Sequence, residues 1–265
     1  MTKLTKMYLW FLLMTRYFKR LPGQARSSIY IMRNLFITFI LLFFTLPLFA
    51  EAKNIVYNNS FDYANINSLE ISLSYENLKI TKIYGDEIVV EIGSNNKKTI
   101  PVVSLEEDDL YGLLKINSPV KRTKLGSNCT VYVFLPQDFI PETISISLVS
   151  GNLQTEQLCS NSTLYIKNIS GRTDISACTT EYLNASSVSG SLTLQKISAG
   201  YFDINNVSGN TFIELENAFE AKSRVTSVSG KIQLYYKKNE SPFLDDSPEL
   251  FISTVSGKVE TVPFD

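Results

Sequence analysis

Val149-Ser150-Gly151 is the first of six copies of one phrase, an aliphatic residue followed by serine and glycine. The others are Ile169-Ser170-Gly171, Val188-Ser189-Gly190, Val207-Ser208-Gly209, Val228-Ser229-Gly230 and Val255-Ser256-Gly257. The glycines stand 20, 19, 19, 21 and 27 residues apart. A nearly constant period of this size belongs to folds in which one supersecondary unit stacks on the next.

Around each glycine the apolar residues repeat as well. Seven, five and two positions before it stand Ile144, Ile146 and Val149, then Leu164, Ile166 and Ile169, and so on to Leu250, Ile252 and Val255. The set Ser223, Val225, Val228 is weaker. Two and four positions after it stand Leu153 and Thr155, Thr173 and Ile175, Leu192 and Leu194, Thr211 and Ile213, Ile232 and Leu234, Val259 and Thr261. Spacing by two puts side chains on one face of a strand. The change from two to three before Ser-Gly implies a bend, so each repeat reads as strand, corner, strand, turn, with all three preceding positions expected inside.

Two short strands cannot bury a core alone, but coiled into rungs they can. The expected fold is all-β, a single-stranded parallel β-helix (a β-solenoid) with rungs of about 19–21 residues. Gly151, Gly171, Gly190, Gly209, Gly230 and Gly257 are its expected structural corners. The serines are expected to form a column whose hydroxyls bond one another or the corner backbone. A two-sheet sandwich gives no reason for six evenly spaced copies. Repetition in every rung also argues for packing and against a row of nucleophiles, because a catalytic serine is singular and has a base beside it.

Histidine is absent from the whole sequence, which removes Ser-His-Asp and Cys-His catalysis and every histidine-based metal site. Residues 32–52 read as a secretory signal peptide: Met32-Arg33-Asn34, an apolar run from Leu35 to Ala50, then Ala50-Glu51-Ala52 as an A-x-A cleavage pattern. The run is shorter than a membrane span needs. Residues 1–31, basic and aromatic, read as an upstream extension or a long n-region. Without residues 1–52 the chain keeps 18 basic and 25 acidic residues, net −7. That disfavours nucleic acid and anionic membrane as partners.

Residues 53–136 lack the phrase but keep strand signals, and read as irregular first rungs with an N-terminal cap. Residues 137–265 read as the regular rungs, and 53–265 as one domain. Cys178 aligns with Leu158 and Ile197 at an inward position, and Cys159 is one position out of phase with it, which opposes a bridge between them. Cys129 is the third cysteine, so the count is odd. Glu106-Glu107-Asp108-Asp109 lacks the alternation and glycine of a calcium loop. Asp245-Asp246 lies in the one long interval, Lys237 to Glu249, which reads as an external loop. Two S-x-x-K matches, Ser94 to Lys97 and Ser118 to Lys121, lack companion motifs. No cofactor or metal motif is evident. Tyr182 and Tyr201, both eight before a glycine, are expected to stack as a candidate binding surface, with Tyr165, Tyr235, Tyr236 and Phe251 on outward faces.

The residues Val131-Tyr132-Val133-Phe134-Leu135-Pro136, the run Ile144 to Leu153 and the later Ser-Gly rungs resemble the bacterial putative-adhesin β-solenoid family. Leu69 to Ile71 and Tyr84-Gly85-Asp86 to Val90 resemble that family's opening strands. The likeness covers about Asn54 to Asp265. It implies a single-stranded β-helix at the cell envelope or surface and supplies no catalytic residues. The expected function is that of a non-enzymatic exported binding or scaffold module, periplasmic, surface-bound or secreted, with a protein or glycan partner. The alternatives are a periplasmic protein-contact partner of an envelope signalling or stress system, and a carbohydrate-active β-helix enzyme. The enzyme needs paired carboxylates in a cleft, and Glu156, Asp174, Glu181, Asp203 and Glu214 occupy differing rung positions.

Overall fold

The computed structural model describes residues 54–95, 100–108, 111–119, 129–217, 222–237 and 250–264. The leader and the extension before it, the turn Gly126-Ser127-Asn128, Asp109, Lys97, Lys121 and the charged pair Asp245-Asp246 lie outside the described residues. The described residues contain strands and turns and no helix. In chain order the strands are β1 (Ile55–Asp62), β2 (Ile66–Leu73), β3 (Asn77–Ile83), β4 (Glu87–Ser94), β5 (Val102–Glu107), β6 (Gly112–Asn117), β7 (Cys129–Pro136), β8 (Thr143–Leu148), β9 (Leu153–Thr155) and β10 (Leu158–Cys159). They continue as β11 (Thr163–Ser170), β12 (Thr173–Ile175), β13 (Cys178–Ser189), β14 (Leu192–Ser208), β15 (Thr211–Leu215), β16 (Ser223–Ser229), β17 (Lys231–Lys237), β18 (Leu250–Thr254) and β19 (Lys258–Phe264).

The rungs stack in parallel and in register. On the first face Leu69, Ile144, Leu164, Leu183 and Phe202 align, as do Ile71, Ile146, Ile166, Ala185, Ile204, Val225 and Ile252. On the second face, after the corner, Leu78, Leu153, Thr173, Leu192, Thr211, Ile232 and Val259 align. A short third side carries Leu158, Cys178 and Ile197. These inward columns form one continuous core. β13 and β14 are long because they run round the turn from one side to the next. This is the parallel β-solenoid that the period predicts. Backbone bonds run along its axis and side chains at equivalent positions stand about 4.8 Å apart.

The weak set is explained by its neighbour. Phe202, fully buried, takes the space beside Ser223, and the Ser223 hydroxyl accepts the Phe202 N–H at 3.1 Å.

One expectation is corrected. The aliphatic residue of the phrase does not face inward. Val149, Ile169, Val188, Val207, Val228 and Val255 are all exposed. The inward position is one residue earlier, at Leu148, Asn168, Ser187, Asn206, Ser227 and Thr254; the first five are buried and Thr254 partly so. Strict alternation therefore continues through −7, −5 and −3, and the bend comes after it. Polar residues at −3 hid the alternation in the sequence. The serines align as expected, and of the two arrangements open to them Ser229 and Ser256 take the bond to corner backbone: Ser229 Oγ donates to Val207 O and Ser256 Oγ to Val228 O.

The corner requires glycine for closeness. A Cβ on Gly190 would stand 1.9 Å from Gly171 O, and one on Gly209 would stand 2.1 Å from Gly190 O. Each corner carbonyl thus occupies the space that a side chain in the next rung would need. Gly171, Gly209 and Gly230 also hold positive φ.

The first rung, β2 with β3, has Ser74-Tyr75-Glu76 where later rungs have the phrase. Glu76 is fully buried, and its carboxylate accepts the N–H groups of Ser74 and Tyr75 at 2.9 Å each and the Ser118 hydroxyl at 2.6 Å. Above this rung sit β6 on β2 and β7 on β3, both parallel. Antiparallel β5 covers β6, and antiparallel β4, followed by β1, covers β7. From β7 the chain crosses the first rung to reach β8. Lys82 pins that crossing: its ammonium donates to Pro136 O at 2.9 Å, Gln137 O at 3.3 Å and Phe139 O at 2.6 Å.

Candidate binding face

Outward residues on the first face alternate with the core columns, so side chains far apart in sequence become neighbours. Tyr182 in β13 and Tyr201 in β14 are register partners. Their rings stack at 4.3 Å with 16° between planes. Tyr165 in β11 meets Tyr182 edge-on at 6.0 Å and 88°. An offset stack and a T-shaped contact are the two arrangements that the ring quadrupole favours. Three consecutive rungs thus carry an aromatic ridge, with Tyr165 and Tyr201 well exposed.

Beside the ridge runs a polar column, Asn184, Asp203 and Arg224, aligned strand to strand. Asn184 Nδ2 donates to the Tyr182 hydroxyl at 3.0 Å and fixes its ring. Asn205 Nδ2 donates to Asp203 Oδ1 at 2.9 Å, and the Thr226 hydroxyl donates to Asn205 Oδ1. The ridge is therefore held by backbone register below and by side-chain bonds laterally. Amides, a carboxylate and a guanidinium next to exposed rings can hydrogen-bond a polar ligand whose flat side lies on the aromatics.

The remaining sequence candidates separate. Tyr236 packs against the core and is not outward. Tyr235 lies on the second face against Phe212 at 5.1 Å, and Phe251 is exposed on the first face two strands beyond Asp203. The six glycines are placed at the corners and carry no side chain to a ligand. Glu106 pairs with Lys115 at 2.5 Å, and the Asp108 carboxylate accepts the Tyr111 N–H at 2.8 Å. Asp174 pairs with Arg172 at 2.7 Å. Glu156, Asp174, Glu181, Asp203 and Glu214 do not align with one another in adjacent strands.

Cys178 is inward, aligned with Leu158 and Ile197, and burial pushes its thiol up to about 12. Cys159 is half-buried beside Thr179, and none of the three cysteines forms a disulfide. Among the described residues no group of histidine, cysteine and carboxylate side chains converges as a metal site. Glu76, the interior column at −3 and the amides that flank the tyrosines are not marked by the period of the Ser-Gly phrase. The signal for the column was present: Asn168 and Asn206 each precede a threonine by five residues, whereas Ser187 and Ser227 precede Leu192 and Ile232 by the same interval.

Parallel rungs stacked in register define a repeat protein of the β-helix class. The chain belongs to the Toastrack DUF4097 family, whose model matches residues 66–260. No curated protein matches its sequence. Among solved structures it is similar to a putative adhesin from Bacteroides fragilis NCTC 9343, with 13% identity, a TM-score of 0.45, and 78% of this chain and 96% of that chain covered. It is also similar to a putative cell adhesion protein from Clostridium sporogenes ATCC 15579, with 12% identity, a TM-score of 0.40, and coverage of 77% and 98%. A third is a putative lipid binding protein from Parabacteroides distasonis ATCC 8503, with 11% identity, a TM-score of 0.34, and coverage of 78% and 96%.

Proposed function

We propose that this protein is an exported, non-enzymatic binding module that holds a glycan or protein of the cell envelope on the first face of its solenoid. The observation that supports this reading is the tyrosine ridge with its amide and carboxylate border. Strand register holds the ridge rigid, so little side-chain entropy is lost when a partner covers it. Among the described residues Glu156, Asp174, Glu181, Asp203 and Glu214 do not align with one another in adjacent strands, which fits binding better than glycoside hydrolysis. Residues 32–52 act as the export leader in this reading, and the net charge of the remainder keeps the module away from nucleic acid. No helix among the described residues is long and apolar enough to cross a membrane.

Protease treatment of intact cells, followed by detection of the protein and sequencing of its N-terminus, tests the reading. Cleavage by external protease and an N-terminus near Lys53 support a surface module. A chain found in the cytoplasm with residues 1–52 attached would overturn export. Turnover of an envelope polysaccharide by the purified protein would overturn the non-enzymatic assignment.

A further inference from the structure

Asp203 in β14 and Arg224 in β16 are register partners on the outward side of the first face. Opposite charges placed directly across two strands attract and ordinarily close on each other. These two do not. No ion pair joins them, and exposed Arg224 bonds to none of the described residues.

A relay from the neighbouring outward column holds them apart. The Thr226 hydroxyl donates to Asn205 Oδ1, and Asn205 Nδ2 donates to Asp203 Oδ1 at 2.9 Å. A carboxylate only accepts, so the amide turns its N–H side to Asp203 and its oxygen to Thr226. Asp203 is thereby drawn along its own strand, and its Oδ2 accepts from none of the described residues.

Tyr201 stands two residues before Asp203 in β14, on the same side of the sheet. Tyr182 covers one face of its ring at 4.3 Å, and the other face turns toward β16. An aromatic face, a fixed acceptor and an open donor therefore meet across two adjacent rungs, and the two charges cancel locally. Lys167 in β11, also outward on this face, lies two rungs before Asp203. That is about 10 Å along the axis, beyond the screening length in physiological salt.

We infer that Asp203, Arg224 and the open face of Tyr201 form a subsite for an uncharged glycan, and that the subsite discriminates against acidic ones. The subsite presupposes that the first face is the binding face. A sugar hydroxyl or acetamido group both donates and accepts, so it satisfies Asp203 and Arg224 together while its ring lies on Tyr201. A uronate carboxylate or a sulfate offers acceptors alone: it satisfies Arg224 and is repelled by Asp203 one rung away. A protein partner calls for an apolar centre to its interface. The outward neighbours of the subsite, Ser186, Asn205 and Thr226, are polar instead. Asn205 and Thr226 are positioning residues, because they keep the carboxylate from closing on the guanidinium.

The test uses the chain purified from its own cells and the polysaccharide of their envelope, separated by anion exchange into an uncharged and an acidic fraction. Calorimetry reads the binding. The native chain is expected to bind the uncharged fraction about tenfold more tightly than the acidic one, and Arg224→Gln to lose about tenfold on the uncharged fraction. Asp203→Asn keeps the size and the bond from Asn205, and is expected to gain about tenfold on the acidic fraction. Thr226→Val frees Asn205, lets Asp203 close on Arg224, and is expected to weaken binding of the uncharged fraction with no loss of melting temperature. A structural role alone leaves the preference between fractions unchanged. Circular dichroism melts confirm that each variant is folded. Equal affinity of the native chain for both fractions, or a preference that Asp203→Asn leaves intact, would overturn the inference. Binding confined to protease-sensitive envelope material and lost in Tyr201→Ala would overturn it while leaving the binding face in place. Binding to no envelope material would remove both.

Discussion

Asn168 and Thr173 meet inside the solenoid at the corner of one rung. Asn168 Nδ2 donates to Thr173 Oγ1 at 3.1 Å and to Gly151 O at 3.2 Å. Two rungs on, Asn206 Nδ2 donates to Thr211 Oγ1 at 2.9 Å. In the rungs between and after, the same two positions hold Ser187 with Leu192 and Ser227 with Ile232. A large polar residue faces a small one, and a small polar residue faces a large aliphatic one. Across these four rungs size at one position offsets size at the other while the chemistry alternates; the rung before them holds two large aliphatics, Leu148 and Leu153.

This compensation is testable as a double-mutant cycle. Thr211→Leu alone overfills the corner and removes the Asn206 partner, at a cost of about 2 kcal/mol. Adding Asn206→Ser converts the rung to the Ser187–Leu192 type and is expected to recover most of that loss. Urea unfolding of the three variants measures the coupling. Additive losses would show that the two positions do not share one volume.

Turning the phrase outward reverses which substitutions are costly. Val207→Thr is expected to change stability by less than about 0.5 kcal/mol, because the side chain is on the surface. Ile204→Ala, three residues earlier and fully buried, is expected to cost about 2–5 kcal/mol. Thermal melts of the pair decide it; the reverse order would put the valine column back inside.

The corner glycines predict a steric effect separable from backbone strain. Gly190 has no positive φ, yet an added Cβ would meet Gly171 O at 1.9 Å. Gly190→Ala is therefore expected to lose more than the roughly 1 kcal/mol of an ordinary glycine-to-alanine penalty, because backbone must move in two rungs. A denaturation midpoint unchanged from the native chain would mean that the rungs are further apart than described.

Burial of Cys178 gives a pH dependence with a defined sign. Its thiol moves from an ordinary value of 9.0 to about 12 in the folded chain. Between those values the unfolded chain releases a proton that the folded chain keeps. The contribution is fully present below pH 9 and is lost as pH rises through about 12. Cys178→Ala removes the group, so the difference in stability between the native chain and this variant is expected to shrink across that alkaline window. The same thiol is expected to resist alkylation at neutral pH, while half-exposed Cys159 reacts. Equal labelling of both would contradict the inward placement.

The period of the Ser-Gly phrase made the stacking legible, because a solenoid repeats its sequence wherever it repeats its geometry. The stack of Tyr182 on Tyr201 followed from their equal distance to a glycine. What stayed illegible was the side on which polar residues lie. Hydrophobic patterning assigns Asn168, Ser187, Asn206 and Ser227 to solvent and Val188 and Val207 to the core, and the structure reverses both. The Nδ2 groups of Asn168 and Asn206 are hydrogen-bonded within the corner while their Oδ1 atoms and the Ser187 and Ser227 hydroxyls are not, so burial of this column is offset only in part, and stacking of β-branched residues on their own copies makes an exposed valine column tolerable. Glu76 was hidden for a related reason: it replaces a corner with a carboxylate whose partners, Ser74, Tyr75 and Ser118, are assembled only by the fold.

The most direct measurement of the binding account compares two surface variants for adhesion to envelope material. Purified protein is titrated onto isolated envelopes, with Tyr201→Ala altering the tyrosine ridge and Phe212→Ala altering the aromatic pair on the second face. The account predicts saturable binding that falls at least tenfold for Tyr201→Ala and is unchanged for Phe212→Ala. Equal binding by both variants, with both folded, would contradict it.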